Sequence, residues 1–284
     1  MNYRHVYHAG NFADVFKHAI LVRILLYLKK KDKPFRVIDT HAGVGLYDLS
    51  SAQAQKTGEW RGGIGRIMGA SLPAQAAALI EPYLEIVRAA NGGGPFRHYP
   101  GSPTIVRQML RGRDRLTAVE KHPADAFALK ARLGGDFQTR IIELDGWLAL
   151  GAQVPPKEHR GLVLVDPPFE EPDEFARMVD GLAKAHRRWP GGTYAFWYPI
   201  KDHAAVAAFR QGLGRAGIPD IVDFSLLIRR PSDEPRLDGC GMVVVNPPYT
   251  LAAEMRALLP ALAATLADGP DAAWGIEVLA GEAA

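Results

Sequence analysis

Apolar and polar positions alternate along this chain in two periods, one belonging to helices and one to buried strands. Phe12, Val15, Phe16, Ala19, Ile20 and Leu26 recur near helical spacing and predict a first helix over about Asn11–Lys30. It ends in the polar stretch Lys29-Lys30-Lys31-Asp32-Lys33-Pro34. Short apolar runs then predict strands at Phe35–Thr40, Leu116–Glu120, Thr139–Leu144, Leu162–Val165, Thr193–Tyr198, Val222–Ile228 and Met242–Val245. About seven strands alternating with helical stretches predict an α/β fold, a Rossmann-like sheet with helices on both faces. The polar segment Arg229–Gly239 joins the last two strands as a hairpin.

One connection is too long. Residues 41–115 separate the first two strands, where a single crossover needs about 30 residues. A helical stretch at Pro73–Ala90 ends at Asn91-Gly92-Gly93-Gly94-Pro95, and Gly58–Gly65 reads as loop. Residues 47–99 are therefore expected to form an inserted helical subdomain, with 1–46 and 100–284 forming the main domain.

Composition narrows the class. With 284 residues, 48% hydrophobic and 23% charged, the chain can bury one sizeable core and is an ordinary globular protein. A formal charge of +3 permits an anionic partner without requiring one. The single cysteine, Cys240, excludes an internal disulfide and any Cys-based zinc site, and His5, His8 and His41 have no metal-ligand spacing. No metal is expected. The Leu21–Leu28 run is broken by Arg23 and falls far short of the roughly 20 residues of a membrane span. With no leader pattern at Met1–His5, the expectation is a cytoplasmic protein without membrane contact.

The chemistry concentrates at strand ends. Leu162–Val165 runs into Asp166-Pro167-Pro168-Phe169. A carboxylate and a proline carbonyl can each accept an N–H from an exocyclic amine and so direct its lone pair toward a methyl donor. The prolines stiffen the turn, and Phe169 can stack on a base. The first strand ends in Asp39-Thr40-His41-Ala42-Gly43-Val44-Gly45, the second at Glu120 and the third at Asp145-Gly146. Glycines let a ligand approach the backbone, and acids suit a sulfonium, an ammonium, a ribose diol and an adenine amine better than phosphates. Ser102, in Pro100-Gly101-Ser102-Pro103, reads as a helix N-cap with proline at the first helical position, near a methionine carboxylate. Lys17 and His18 on the first helix read as a solvated lysine and a core-edge histidine, with Lys17 alternatively neutralising that carboxylate.

A second motif, Asn246-Pro247-Pro248-Tyr249, closes the last predicted strand. The methyl acceptor must lie beside the glycine loop of the first strand. In this topology the fourth strand neighbours the first and the seventh lies farther out, so Asp166–Phe169 is expected to be the active copy. Asn246–Tyr249 then reads as a rigid strand end.

The chain resembles the bacterial ribosomal RNA large subunit methyltransferase J family almost end to end. The resemblance is carried by Tyr3-Arg4-His5, His8-Ala9-Gly10-Asn11, Ala13-Asp14-Val15, Lys17-His18, Asp39–Gly43, Tyr99–Pro103, Asp145-Gly146, Asp166-Pro167-Pro168 and Trp197-Tyr198-Pro199. It implies N6-methylation of an adenine in 23S ribosomal RNA with S-adenosylmethionine as donor. Carried over by position, Asp166 is catalytic. Lys17, His18, His41, Ser102, Glu120, Asp145, Gly146 and Asp166 contact the cofactor, and Tyr3, His5, Pro167 and Phe169 border the substrate. The family commonly has tyrosine where this chain has Phe169, which keeps the stacking face and removes any role for a phenol. Arg4, Lys29–Lys33, Arg61, Arg66, Arg229, Arg230 and Arg236 are candidate RNA contacts, each otherwise a solvated surface charge. No obligate protein partner is evident and a monomer is expected. The rivals are a DNA adenine methyltransferase, a glutamine methyltransferase working through Asn246–Tyr249, and a non-catalytic RNA-binding assembly factor.

Overall fold

A computed structural model describes residues 5–231 and 236–282. After a single 3₁₀ turn at His5–Tyr7, the chain enters α1 (Phe12–Lys29), β1 (Arg36–Asp39) and β2 (Leu46–Asp48). Next come α2 (Ala52–Thr57), α3 (Glu59–Gly62), α4 (Ile64–Gly69), α5 (Ala74–Ala89), β3 (His98–Pro100), α6 (Ser102–Met109) and β4 (Arg115–Glu120). The remainder is α7 (Pro123–Leu133), β5 (Thr139–Glu143), α8 (Gly146–Ala152), β6 (Gly161–Val165), α9 (Glu174–Arg188), β7 (Thr193–Ile200), α10 (His203–Gly214), β8 (Ile221–Leu227), β9 (Gly239–Val245), α11 (Leu251–Leu266) and β10 (Ala273–Ala280).

Eight strands form one sheet in the order β10-β8-β9-β7-β6-β1-β4-β5, one more than the sequence pattern predicts. The strand missed is β10. It pairs only with β8, at the sheet edge, and its half-exposed residues lack a buried apolar run. The strands from β5 to β7 are parallel, while β9 runs antiparallel between β7 and β8.

The pleat sends alternate side chains to two separate cores. Val37, Leu162, Leu164, Met242 and Val244 face the layer that includes α1 and α11. Ile38, Val163, Val165, Val243 and Val245 face the layer that includes α9 and α10. Both faces are covered, which is why β6 and β9 are buried at every residue.

Sequence order crosses back over β1 between β5 and β6, so the chain has its switch point at the β1–β6 pair. Ligands in open α/β sheets bind outside the carboxyl ends of the strands at such a point. The loop after β1 is threaded there: the Thr40 N–H donates to Leu164 O (3.0 Å) and the Ala42 N–H to Val119 O (2.9 Å).

The long connection holds α2–α5 between the paired strands β2 and β3. Ile64, Ile67, Ile80 and Tyr83 belong to the same core as α1 and α11. Gly58–Gly65, expected as loop, is mostly helical. One of its glycines serves close packing: a Cβ on Gly63 would lie 2.2 Å from Gly10 O and 2.4 Å from Asn11 C. Gly63 thus lets this segment seat against the start of α1.

The two Pro-Pro motifs sit at opposite ends of the sheet. Val245 pairs with Tyr194 near the start of β7, so Asn246 leaves at the amino ends of the parallel strands, while Asp166 follows their carboxyl ends. Their backbones differ too: Asn246 is left-handed (φ 50°), whereas in the other copy it is Phe169 (φ 50°). Asn246 Nδ2 donates to Pro190 O and Gly192 O, both at 2.7 Å. Asn246→Ala removes both bonds at a φ that asparagine tolerates better than alanine. It should lower stability by about 1–3 kcal/mol, measured by denaturant unfolding.

Candidate active site

α1 begins with a dense cap. Asn11 Oδ1 accepts from the Ala13 and Asp14 N–H groups (3.0 Å each), and its Nδ2 donates to Glu59 Oε2 (3.0 Å). His8 reaches the other oxygen of Glu59 (2.9 Å). Anchored this way, α1 delivers Asp14, Lys17 and His18, all buried, to the carboxyl ends of β1 and β6.

Lys17 is not solvated, as sequence alone suggests. Its Nζ lies 2.8 Å from Asp14 Oδ1 and also binds Asp166 Oδ2. Asp14 further accepts from His5 Nε2 (3.0 Å) and the Gly10 N–H (2.8 Å). Burial pushes the Asp14 carboxyl up, but His5 and Lys17 outweigh it and hold the group well below the usual range. Burial pulls the Lys17 ammonium down, and the two carboxylates raise it well above its ordinary value.

A cavity of about 270 Å³ lies beside this cluster. Lys17, His18, His41, Ser102, Glu120, Asp145, Gly146, Asp166, Pro167 and His5 all line it. Each carboxylate of the set is already partly engaged. Glu120 accepts from the Gly43 and His122 N–H groups (2.8 Å each), one bond per oxygen, and each oxygen keeps a second lone pair. Burial raises its pKa. Asp145 caps α8 through Trp147 N–H (3.0 Å), and its other oxygen binds Lys121 Nζ (2.9 Å).

His18 and Asp39 each carry a buried side-chain atom without a hydrogen-bond partner among the described residues. His18 Nδ1 bonds Tyr99 OH (2.6 Å), which bonds Tyr83 OH (2.8 Å), while Nε2 has no protein partner. The Tyr99 hydroxyl thereby occupies Nδ1 and leaves Nε2 for a ligand. Burial, followed by the Lys17 charge, lowers His18 to about 3, and burial lowers His41 to about 4, so both are neutral imidazoles. Asp39 does not line the cavity, contrary to its reading as a strand-end ligand. It lies fully buried behind it, and burial raises it to about 7 against an opposing hydrogen bond from Ser102.

Two further readings change. Gly101, rather than Ser102, is the N-cap of α6, placing Ser102 and Pro103 in its first turn, because the Gly101 backbone is still extended. Gly146 is required by packing: a Cβ there would lie 2.5 Å from Thr40 O and 2.6 Å from His41 Nε2. Sequence reasoning also missed Tyr47, Trp147, Glu174 and Arg177 on the cavity wall. Trp147 donates its indole N–H to Glu174 Oε1 (2.8 Å) and lies 5.4 Å under Arg177. Trp147, directly after Asp145-Gly146, was the one legible in principle.

A second cavity, of about 540 Å³, meets the first at His5, Lys17, Asp166, Pro167 and Pro168. Phe169, Trp197, Pro199, Glu59, Arg66 and Lys201 are among its walls. The half-buried Phe169 ring packs edge-on to Phe175 (5.0 Å between centroids) and Trp197 (6.1 Å). Tyr3 and Arg4 lie outside the described residues. Of the arginines named as RNA contacts, Arg61 binds Gln55, Arg66 binds Ala267 O, Arg229 pairs with Asp268, Arg230 with Asp271 and Arg236 with Asp238.

Lys17→Met would leave two carboxylates facing each other without their cation. Breaking such a buried arrangement costs about 3–5 kcal/mol. Denaturant unfolding should show a loss of that size, with part regained in the Asp14→Asn, Lys17→Met double variant. Equal stability of Lys17→Met and the parent would show that the triad does not hold α1.

Comparison with known proteins identifies the family. Residues 32–278 match the family described as "Ribosomal RNA large subunit methyltransferase D, RlmJ". The chain is 40% identical over 279 residues to the ribosomal RNA large subunit methyltransferase J of Haemophilus influenzae, covering 98% of each chain. It is 40% identical over 261 residues to the protein of that name from Escherichia coli, covering 92% of each. A crystal structure of a Legionella pneumophila protein superposes with a TM-score of 0.86 at 32% identity, over 95% of this chain and 98% of that one. Among the described residues no helix is long and apolar enough to cross a membrane. With a full-length match and a strand-end cavity built around Asp166, the chain belongs to the ribosomal RNA large subunit methyltransferase J family.

Proposed function

We propose that this protein methylates N6 of a specific adenine in 23S ribosomal RNA, using S-adenosylmethionine. The observation that carries the reading is the junction of two cavities at Asp166-Pro167-Pro168, one lined by strand-end acids and one opening beside Phe169. The first takes the cofactor and the second the target base. Residues 1–46 and 100–284 then act as the methyltransferase domain, and 47–99 as an inserted subdomain that contributes Gly58, Glu59, Gly62 and Arg66 to the base-side wall. The protein acts as a monomer in the cytoplasm.

The residues fit the cofactor. S-adenosylmethionine supplies an electrophilic methyl on a sulfonium. Glu120 keeps one free lone pair on each oxygen for a ribose diol. His18 Nε2 and the Ser102 N–H in the first turn of α6 are available to the methionine end. His41 and Gly146 pack together at the wall, and the Asp145 side borders the adenine.

An adenine amine is a weak nucleophile, because its lone pair is delocalised into the ring. Lys17 holds Asp166 by Oδ2, leaving Oδ1 to accept one amine N–H while the Pro167 carbonyl accepts the other. Both acceptors are fixed before substrate arrives, so the contribution is one of positioning. Asp166 receives the proton released after transfer. A base must leave its stack to reach this depth, and Phe169 offers an aromatic surface for it.

Glu120→Ala should lose about 1.5–3 kcal/mol of cofactor affinity per ribose bond, read by calorimetry. Unchanged affinity would remove the ribose role. Asp166→Ala should fold and yet abolish tritiated methyl transfer to 23S rRNA, with N6-methyladenosine as the nucleoside formed by the parent. Transfer to DNA but not to RNA, or a methylated product other than N6-methyladenosine, overturns the reading. Phe169→Tyr should stay active, while Phe169→Ala should slow single-turnover transfer roughly 5–150-fold, the loss of one stacking platform. A large fall in melting temperature with an intact rate would instead make Phe169 a packing residue only.

A further inference from the structure

The second Pro-Pro motif is not used by the chemistry above, yet it is built with care. Asn246 is tied to Pro190 O and Gly192 O, and its own carbonyl accepts from Thr193 Oγ1 (3.1 Å). The Leu251 N–H closes the turn on Pro248 O (2.8 Å). What this rigid turn displays is Tyr249, 80% exposed, the most exposed large hydrophobic among the described residues. Its ring stands edge-on to Tyr27 at 5.5 Å, and Lys30 Nζ lies 5.5 Å from the Tyr27 ring centre.

The neighbouring loop is equally organised. Arg111 donates to the carbonyls of Lys29 (3.1 Å), Lys31 (2.9 Å) and Lys33 (3.1 Å), and Arg160 donates to those of Leu28 and Lys33. With the loop's carbonyls pinned to these guanidinium groups, Lys30, Lys31 and Lys33 extend into solvent. None of the three has an ion-pair partner among the described residues, unlike the arginines near the second cavity. The adjoining acids are largely spoken for: Asp114 by Arg111, Glu158 by Arg36 and Glu254 by Arg23, with Asp32 the exposed exception.

We propose that Tyr249 and the Lys30–Lys33 loop form a second RNA-contact surface, stacking an unpaired base on Tyr249 and taking backbone phosphates on Lys30, Lys31 and Lys33. Exposed aromatics beside unpaired cations are the means by which single strands are held without sequence preference. The surface lies at the carboxyl end of α1, whose amino end carries Asp14 and Lys17. From Lys17 to Lys30 the helix axis advances roughly 20 Å. The inference rests on the RNA-substrate reading, and it adds that the substrate is gripped at a point remote from the methylated base.

The test uses the full chain and fluorescein-labelled oligouridine, whose base has no exocyclic amine for Asp166 and the Pro167 carbonyl to hold. Tyr249→Ala should weaken binding roughly 5–150-fold, as expected for one stacked base, and Tyr249→Phe should retain it. The Lys30→Gln, Lys31→Gln, Lys33→Gln variant should flatten the slope of log affinity against log salt by about 2. Phe127→Ala, at an exposed aromatic on α7, should bind oligouridine like the parent. Equal binding and equal salt slopes for parent and variants overturn the proposal, as does Tyr249-dependent binding to phosphatidylglycerol vesicles with none to oligouridine. Melting temperatures of all variants guard against misfolding. If the parent fails to methylate 23S rRNA, the substrate reading falls while the oligouridine result stands. If it methylates normally and the variants bind unchanged, only this inference falls.

Discussion

A lysine ammonium buried between two carboxylates holds the site together. Lys17 and Asp14 come from α1 and Asp166 from the end of β6, so one cation joins the helix to the strand whose Pro-Pro motif lines both cavities. Removing three charges from water is costly, and it is tolerated only because each finds partners at hydrogen-bond distance. Asp14 is the most heavily partnered, by Lys17, His5 and the Gly10 N–H. His5 and the first turns of α1 are thereby locked against the site. The same cation leaves one Asp166 oxygen free, and both cavities open onto it.

The inserted segment is part of this construction. Tyr83 of α5 and Tyr99 of β3 form a hydroxyl chain ending on His18 of α1. Glu59 of α3 fastens His8 and Asn11, and Gly63 lets its backbone come close to Gly10. Helices from the long connection therefore brace the amino-terminal half of α1. Strand ends place Glu120, Asp145 and Asp166 on the cavity wall, and the insertion orients α1 through His8, Asn11 and His18.

Strand direction divides the molecule into two functional ends. The parallel strands deliver Asp39, Glu120, Asp145 and Asp166 to one edge, whereas the reversal of β9 carries Asn246–Tyr249 to the other. Similar tetrapeptides have thus met different demands. One is anchored by Lys17 beside a cavity, and the other is anchored by backbone carbonyls and presents its ring to solvent.

Much of this was legible in the residues. Buried strands such as Leu162–Val165 announce themselves as unbroken apolar runs, and an acid at the end of each marks the ligand edge of the sheet. The Pro-Pro copy beside β1 followed from strand order alone. Other features were not legible, because they depend on contacts across long sequence separations. Lys17 looks solvated until Asp166, 149 residues away, is folded against it. The glycines at 58–65 look like loop until Gly10 packs on them, and β10 has no apolar run because an edge strand buries little. Asp39 looks like a ligand of the cavity and is sealed behind it. Local sequence specifies period and strand-end chemistry, since both are set by neighbours along the chain. Which charges are buried, which acid faces the cavity and which motif meets solvent are decided only when distant segments exclude water from one another.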